Sequence, residues 1–391
     1  MPTAPVYFDH AATTPVRPEV VDGMLPYLGA SFGNPSSAHR FGRAARAGLE
    51  QARRDVAEAV GAEPGQVIFT SGGTEADNLA VIGAVLAARD RGGAMTAVVS
   101  AIEHKAVLAA AHAVRRLGGR EIVLPVGADG AVNDAALGAA LAERPAVVSI
   151  MWVNNETGIV QPVERLAARC HEADVPFHTD AVQAFGKLPL SVASLPCSLV
   201  TLSGHKVGAP KGIGALIVRT PGVVEAMIHG GGQQYGIRPG TENVAGAVAL
   251  GVAARLAAAE QAQQAARLTR LRDELFQRLA AGVPDLVLHG AACCRAPHIL
   301  SLGVPGADGE ALLMHLDLAG VAASGGSACS TGSVEPSHVL TALGVQRDLA
   351  LGTIRLSLGH ETREEEIERL VAVFPGVVRK VRELSVVLGR A

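Results

Sequence analysis

Between residues 66 and 219, short apolar runs rich in β-branched residues alternate with segments of helical composition. Strands with few polar interruptions that alternate with helices are typical of a mainly parallel sheet covered on both faces. The pattern therefore predicts an α/β fold whose ligands bind at the carboxyl ends of the strands. The predicted strands are 67–69, 97–100, 121–124, 146–153, 176–179, 199–203 and 214–218.

The pattern changes after residue 246. Ala, Leu, Gln and Arg dominate as far as residue 281, which predicts one long helix or two abutting helices. Short strands at 286–289, 299–304 and 353–358 then alternate with helices. We place a domain boundary near residue 255. The predicted large domain is 16–255, and the predicted smaller α+β domain combines 1–15 with 256–391.

Composition excludes several classes of protein. Hydrophobic residues make up 49% of the 391 residues and charged residues 18%, which is typical of a well-buried globular protein. The net charge of −3 gives no electrostatic footprint for nucleic acid. Five cysteines without a CxxC pair indicate neither a disulfide framework nor a structural zinc site. The N-terminus lacks the pattern of a signal peptide, and the longest apolar stretch is too short to span a membrane, so we expect a cytoplasmic protein with no membrane contact.

Three polar clusters follow predicted strands. The first is TSGGTE at 70–75, which opens a predicted helix and could bind phosphate through backbone N–H groups, although a capped turn is the better explanation of this segment taken alone. In the second cluster, Asp180 ends a buried-looking strand and either meets a cation or caps the next helix. In the third, Lys206 follows the next strand, where a solvated lysine is the common alternative. Together, a phosphate-type turn, an acid and a lysine favour a pyridoxal-phosphate site, since that cofactor needs all three.

A fourth cluster, at 324–333, consists of small residues around one cysteine, Cys329. Such a stretch has little to bury and predicts a mobile loop. A cysteine in this setting is more accessible and reactive than one in a core. Cys170 and Cys197, by contrast, stand in apolar surroundings, and Cys293 and Cys294 are a vicinal pair; all four are predicted to be structural.

Taken together, the chain resembles a cysteine desulfurase of the nitrogenase and iron–sulfur-cluster type, within the class V aminotransferase group. The similarity runs nearly end to end, and many short blocks stand in the family's order and spacing. The blocks lie at 7–15, 32–37, 70–78, 103–107, 153–158, 180–183, 203–206, 230–233, 238–243, 326–330, 336–340 and 354–357. The resemblance implies a fold-type-I pyridoxal-phosphate enzyme with a mainly parallel seven-stranded sheet, usually a homodimer, in which the large domain binds pyridoxal 5'-phosphate and the small domain carries the catalytic cysteine loop.

The resemblance also implies residue roles. Lys206 carries the cofactor, His104 stacks on its ring and assists proton transfer, and Cys329 accepts the sulfur. The implied cofactor contacts are Asp180 at the pyridine nitrogen, Gln183 and Asn155 near the ring oxygen, Gly73, Thr74, Ser203 and His205 at the phosphate, and Thr241 supplied by a partner subunit. The implied substrate contacts are Arg355, whose fork suits a carboxylate, and Asn34.

The implied activity converts L-cysteine to L-alanine and leaves a persulfide on Cys329. The Lys206 amine would take the α-proton, and the Cys329 thiolate would attack the substrate sulfur. The sulfur would pass to an acceptor protein, such as an iron–sulfur scaffold or a tRNA-thiolation protein. Two departures from the family are Val207-Gly208-Ala209 after the lysine, and Tyr235 where relatives often carry arginine.

Three alternatives remain open at this level. A selenocysteine lyase or another class V enzyme shares the fold, although an aminotransferase needs no cysteine loop. A sulfur-relay or scaffold protein without cofactor is a second alternative, which the presence of Lys206, Asp180 and His104 disfavours. A cysteine hydrolase is a third, but it would leave the lysine cluster unexplained.

Overall fold

A computed structural model describes residues 5–290, 294–325 and 335–387. Its strands are β1 (Val6–Tyr7), β2 (Val67–Thr70), β3 (Thr96–Ser100), β4 (Arg120–Leu124), β5 (Val147–Ser149), β6 (Phe177–Asp180), β7 (Leu199–Ser203), β8 (Gly214–Val218), β9 (Val287–Leu288), β10 (Ile299–Gly303), β11 (Val321–Ala322) and β12 (Thr353–Ser357). Its helices are α1 (Pro18–Leu28), α2 (Arg40–Val60), α3 (Gly73–Asp90), α4 (Lys105–Val114), α5 (Asp134–Leu141), α6 (Val163–Glu172), α7 (Val244–Gly282), α8 (Gly309–Leu318), α9 (His338–Ala342), α10 (Arg347–Leu351) and α11 (Glu364–Val387).

The main sheet has seven strands in the order β2-β8-β7-β6-β5-β3-β4. Strands β3 to β7 pair in parallel, and β8 runs antiparallel to both of its neighbours. The predicted α/β fold with a mainly parallel seven-stranded sheet is therefore confirmed. In the parallel part, the carboxyl ends of the strands lie at one edge.

Both faces of this sheet are covered, as near-continuous apolar strands require. On β2, Val67 and Phe69 belong to one core, which also contains residues of α2 and α6. Ile68, between them, points to the other face and belongs to a core with residues of α3 and α4. The alternation along a single strand explains why the sequence shows apolar runs rather than an apolar–polar alternation.

The long helix α7 contributes to two different cores. Its first eleven residues pack against α1 and α2 and contribute to the core on that side of the main sheet, whereas Leu268, Leu271, Leu275 and Leu279 pack in the core of the C-terminal part. Length and hydropathy alone would allow α7 to cross a membrane, but half of its most apolar window is buried inside the protein. A core helix of a folded domain explains that composition.

The C-terminal part contains a three-stranded antiparallel sheet in the order β12-β10-β9. Strand β1, from the other end of the chain, pairs in parallel with β11. The predicted division at residue 255 falls inside the continuous helix α7 and stays a prediction.

Candidate active site

The site lies where two neighbouring parallel strands end. Strand β6 ends at Asp180, and β7 ends at Ser203 and continues into a 3₁₀ turn that contains Lys206. Next to β7, a Cβ on Gly214 of β8 would lie 2.7 Å from the Cα of Gly72. Because residue 214 has no side chain, the turn before α3 can approach the sheet at this edge.

The cavity at this edge brings together nine of the predicted residues. It has a volume of about 710 Å³ and is open to solvent. The predicted residues that line it are Gly73, Thr74, His104, Asn155, Asp180, Gln183, Ser203, His205 and Lys206. The sequence thus identified most of one continuous surface from clusters that lie up to 130 residues apart.

Lys206 places its amine against the N-terminal segment of the chain. The Nζ atom donates hydrogen bonds to the carbonyl oxygens of Ala11 and Ala12, both at 2.6 Å. Burial, helped by the positive charge of Arg355, lowers the pKa of Lys206 to about 8. The amine is therefore easier to deprotonate than a lysine in water, which suits a nucleophile and a base.

Asp180 is buried at the end of β6. One carboxylate oxygen accepts a hydrogen bond from the N–H of Val182 at 2.9 Å. Burial raises the pKa of Asp180, while His104, the Val182 N–H and Lys206 each act to lower it. A buried carboxyl with one donor favours a cationic partner in the cavity.

The N-terminus of α3 provides a place for an anion. The helix begins at Gly73, and no side chain caps it. Its first N–H groups are therefore available to a ligand, and the helix dipole favours negative charge there. Ser203 and His205 line the same cavity, and burial lowers the pKa of His205 to about 4, so its imidazole is neutral at physiological pH.

His104 is the N-cap of α4. Its Nδ1 accepts a hydrogen bond from the N–H of Ala106 at 3.1 Å. An imidazole nitrogen that accepts cannot also carry a proton, so the geometry assigns the proton to Nε2. His104 therefore offers a hydrogen-bond donor at Nε2, and it has no free lone pair there with which to take a proton.

Gln183 and Asn155 differ in how far their side chains are already engaged. The Gln183 amide donates to the carbonyl of Ala11 at 2.9 Å and contacts Nε2 of His298 at 3.1 Å, so both ends of it are used. Asn155 lines the cavity. Its backbone carbonyl oxygen accepts a hydrogen bond from Nη1 of Arg355 at 2.8 Å.

Arg355 lies on β12, and its positive charge helps to lower the pKa of Lys206. Its Nη2 forms an ion pair of 2.7 Å with Asp9. The backbone of Arg355 also pairs with that of Ser324. The predicted carboxylate-binding arginine is thus joined to the segment that precedes Cys329 in the sequence.

Four predicted residues are not among those that line this cavity, and Arg355, described above, is one of them. Asn34 is exposed, and its side-chain oxygen accepts from the N–H of Ser36. Thr241 is also exposed. That one subunit supplies Thr241 to the phosphate site of its partner stays a prediction. Cys329 lies outside the described residues.

A family model described as "Aminotransferase class-V" matches residues 6–370. A cysteine desulfurase of Cereibacter sphaeroides is 46% identical, with 97% of each chain covered. The cysteine desulfurase IscS of Dictyoglomus turgidum is 42% identical and covers 97% of this chain and 96% of its own. A solved structure titled "NIFS-LIKE PROTEIN" superimposes with a TM-score of 0.87 at 33% identity, covering 97% of this chain and 99% of its own. The chain belongs to the cysteine desulfurases of the class-V aminotransferase family.

Enzymes of this family depend on pyridoxal phosphate, and the cavity fits that group. The uncapped start of α3 with Ser203 suits a phosphate, the Lys206 amine suits an aldehyde, and Asp180 suits a pyridine nitrogen. The three features belong to one cavity. The residues present therefore match the cofactor that the family requires.

Sequence reasoning missed three buried or half-buried acids near the family's cofactor site. Asp77 lines the cavity, and burial together with the nearby Asp180 raises its pKa well above the usual range. Burial raises the pKa of Glu103 to about 8. Asp9 lies in the family block at 7–15, but the resemblance assigned it no role. The spacing of four residues from Gly73 to Asp77 on one helix was a signal that could have found Asp77.

Proposed function

We propose that this cysteine desulfurase binds pyridoxal 5'-phosphate through Lys206 and passes the sulfur of L-cysteine to Cys329. The observation that carries the proposal is the partly buried Lys206 amine, which shares one cavity with the buried Asp180 carboxyl. Lysines and acids are rarely buried unless they are paired or functional.

Four groups of residues would hold the cofactor. Lys206 would bind it covalently, and Asp180 would pair with the pyridine nitrogen. His104 would stack on the ring, with Asn155 and Gln183 near the ring oxygen. The phosphate would bind to the start of α3 with Thr74, Ser203 and His205. When bound, the cofactor acts as an electron sink that allows the Cα–H bond of an amino acid to break.

The substrate would bind between Arg355 and Lys206. The Arg355 guanidinium would hold the α-carboxylate, because its planar fork matches two carboxylate oxygens. The Lys206 amine, with its pKa near 8, would take the α-proton. His104, protonated on Nε2, would donate a hydrogen bond rather than act as that base.

Sulfur transfer would be carried out by Cys329. Its thiolate would attack the sulfur of the substrate, so that a new S–S bond forms as the substrate Cβ–S bond breaks. The carbon fragment takes up a proton and leaves as L-alanine, and Cys329 is left as a persulfide. Arg355 pairs through its backbone with Ser324, only five positions before Cys329, which supports access of this cysteine to the substrate.

The persulfide would then pass to an acceptor protein. Iron–sulfur cluster assembly is the general use among relatives named IscS, and we propose a cluster scaffold or a tRNA-thiolation protein as the acceptor. We also propose that the enzyme is a homodimer. Thr241 and Asn34, which lie outside the cavity of their own chain, support this arrangement because a second copy could use them.

Substitution of Cys329 tests the proposal directly. Cys329→Ala should keep the yellow colour of bound cofactor but lose sulfide and alanine production from L-cysteine with dithiothreitol by about 100-fold or more, because the attacking thiolate is gone. Lys206→Ala should lose both the colour and the activity. Cys294→Ala, which removes an exposed cysteine, is the matched control and should leave turnover within about twofold. Full sulfide release from Cys329→Ala would contradict the proposed role.

A further inference from the structure

Asp9 is held beside the proposed substrate-binding arginine by the backbone. The segment that contains Asp9 runs parallel to β12, with a bridge between Asp9 and Ser357. The N–H of His10 donates to Ser357, and the N–H of Ser357 donates to Phe8. Arg355 lies two residues earlier on the same strand, so its side chain and that of Asp9 emerge next to each other.

The two side chains form one ion pair, in which the guanidinium keeps one buried donor without a partner among the described residues. Asp9 Oδ1 lies 2.7 Å from Arg355 Nη2, and the carbonyl of Asn155 takes Nη1. Arg355 is only 3% exposed, and among the described residues its buried Nε has no hydrogen-bond partner. An unsatisfied buried donor on a charged group is costly, which indicates that a ligand completes the set.

Asp9 also faces Lys206. The negative charge of Asp9 acts to raise the pKa of Lys206, and the positive charge of Arg355 acts to lower it, so both groups lie within electrostatic reach of the amine. The Asp9 side chain is 20% exposed, whereas Arg355 is covered. A ligand with its carboxylate on Arg355 therefore binds next to the Asp9 carboxylate, which lies 2.7 Å from the same guanidinium.

We propose that Asp9 is a specificity-determining residue, which orients Arg355 and repels amino acids that carry a second carboxylate. The inference rests on the proposed function, because it assumes that Arg355 and Lys206 hold the substrate. Asp9 neutralises part of the charge of Arg355, so the pair can attract one α-carboxylate but offers little attraction for a second. A second negative charge would meet Asp9 in a half-buried site, where like charges repel more strongly than in water.

The test compares two ligands on the holoenzyme. L-alanine and L-aspartate are titrated while the visible spectrum of the bound cofactor is followed, and a ratio of dissociation constants is calculated for each variant. Asp9→Asn keeps an oxygen that can accept from Arg355 but removes the charge. We expect the preference for alanine over aspartate to fall by at least about tenfold in this variant, because the repulsion is removed. The ratio cancels effects that weaken both ligands equally.

Further variants keep the test sharp. Asp9→Glu retains the charge and should keep the ratio within about threefold of the wild type, and Asp9→Ser repeats the neutral test if the amide is not tolerated. Glu19→Gln removes a carboxylate from an exposed ion pair with Arg17 and is the control for a remote change of charge. A ratio that stays within about threefold of the wild type in both neutral variants would overturn the inference and leave Asp9 a structural partner of Arg355. A wild-type protein that shows no cofactor band would instead refute the proposed function.

Discussion

At the scale of single residues, the tautomer of His104 decides which group can act as a base. Nδ1 accepts the N–H of Ala106, so Nε2 carries the proton and His104 can donate to the cavity but not accept from it. This geometry supports the proposal that Lys206, rather than His104, takes the α-proton.

We predict that nitrogen-15 NMR of histidine-labelled protein shows His104 as the Nε2–H tautomer at neutral pH, with Nδ1 at the shift of an acceptor. The variant His104→Asn assigns the signal, because it removes only that resonance. His39 is an internal control, since it caps α2 in the same way, with Nδ1 accepting from Gly42 at 3.3 Å. An Nδ1–H tautomer at His104 would show that the cap does not fix the proton.

Individual residues could be predicted only as far as local sequence defines their position. Asp180 and Lys206 follow apolar runs, so the ends of β6 and β7 were visible in the sequence. Asp9 and Arg355 meet across 346 positions, and no local pattern indicates that pairing. Their contact follows from the way in which the N-terminal segment lies beside β12, which is a property of the tertiary fold.

At the scale of elements, the short turn Gln233–Gly236 is held by one buried amide. Gln234 and Tyr235 both have positive φ, at 47° and 59°, which is costly for residues with side chains. The Gln234 side-chain oxygen accepts from the N–H of Phe69 at 2.9 Å and from Arg53 at 3.1 Å. The nitrogen of the same amide donates to Glu242 at 2.6 Å. These bonds fix the segment that leads to Thr241.

We predict that Gln234→Ala lowers the free energy of unfolding by about 2–3 kcal/mol, because buried donors of Phe69 and Arg53 lose their acceptor. The measurement is the midpoint of urea unfolding followed by circular dichroism. Gln233→Ala is the neighbouring control. The side-chain oxygen of Gln233 accepts a hydrogen bond from the exposed N–H of Gly240, so this substitution should lower the free energy of unfolding by less than about 1 kcal/mol. Equal effects of the two substitutions would show that the amide network does not hold the turn.

At the scale of the whole molecule, the alternation of strands and helices was sufficient to predict the seven-stranded sheet, because all of its strands except the edge strand β4 are buried on both faces. The same pattern could not show how α7 joins the two cores. Its first eleven residues are uncharged and 268–279 is rich in charged residues, but only the packing shows that the two stretches belong to different cores. The apolar side chains that the fold leaves exposed indicate where a second chain could bind.

An uncovered apolar face in the N-terminal region lies on α1 and just after it. Val21, Leu25 and Leu28 recur at helical spacing, and Leu28 and Phe32 are 65% and 70% exposed. Exposed apolar patches of this kind are typical of protein interfaces. Phe32 is close in sequence to Asn34, which lies outside the cavity of its own chain. A second copy bound to this face would have its cavity near Asn34 of the first chain, which could then contact the substrate of the second copy.

We predict that the wild-type protein has twice the 40.0 kDa mass of the chain in light scattering, and that the double variant Leu25→Glu with Leu28→Glu has the mass of one chain. Charges placed on a buried apolar interface cost more than the contact returns. The control is Met314→Glu with Leu318→Glu, which adds the same charges to an exposed face of α8, where these residues are 57% and 76% exposed, and should leave the mass unchanged. The monomeric variant should also hold pyridoxal phosphate more weakly, because Thr241 of a partner would no longer reach the phosphate. If the α1 variant keeps twice the chain mass while the α8 variant dissociates, the interface lies at the C-terminal part and the proposed use of Thr241 is wrong.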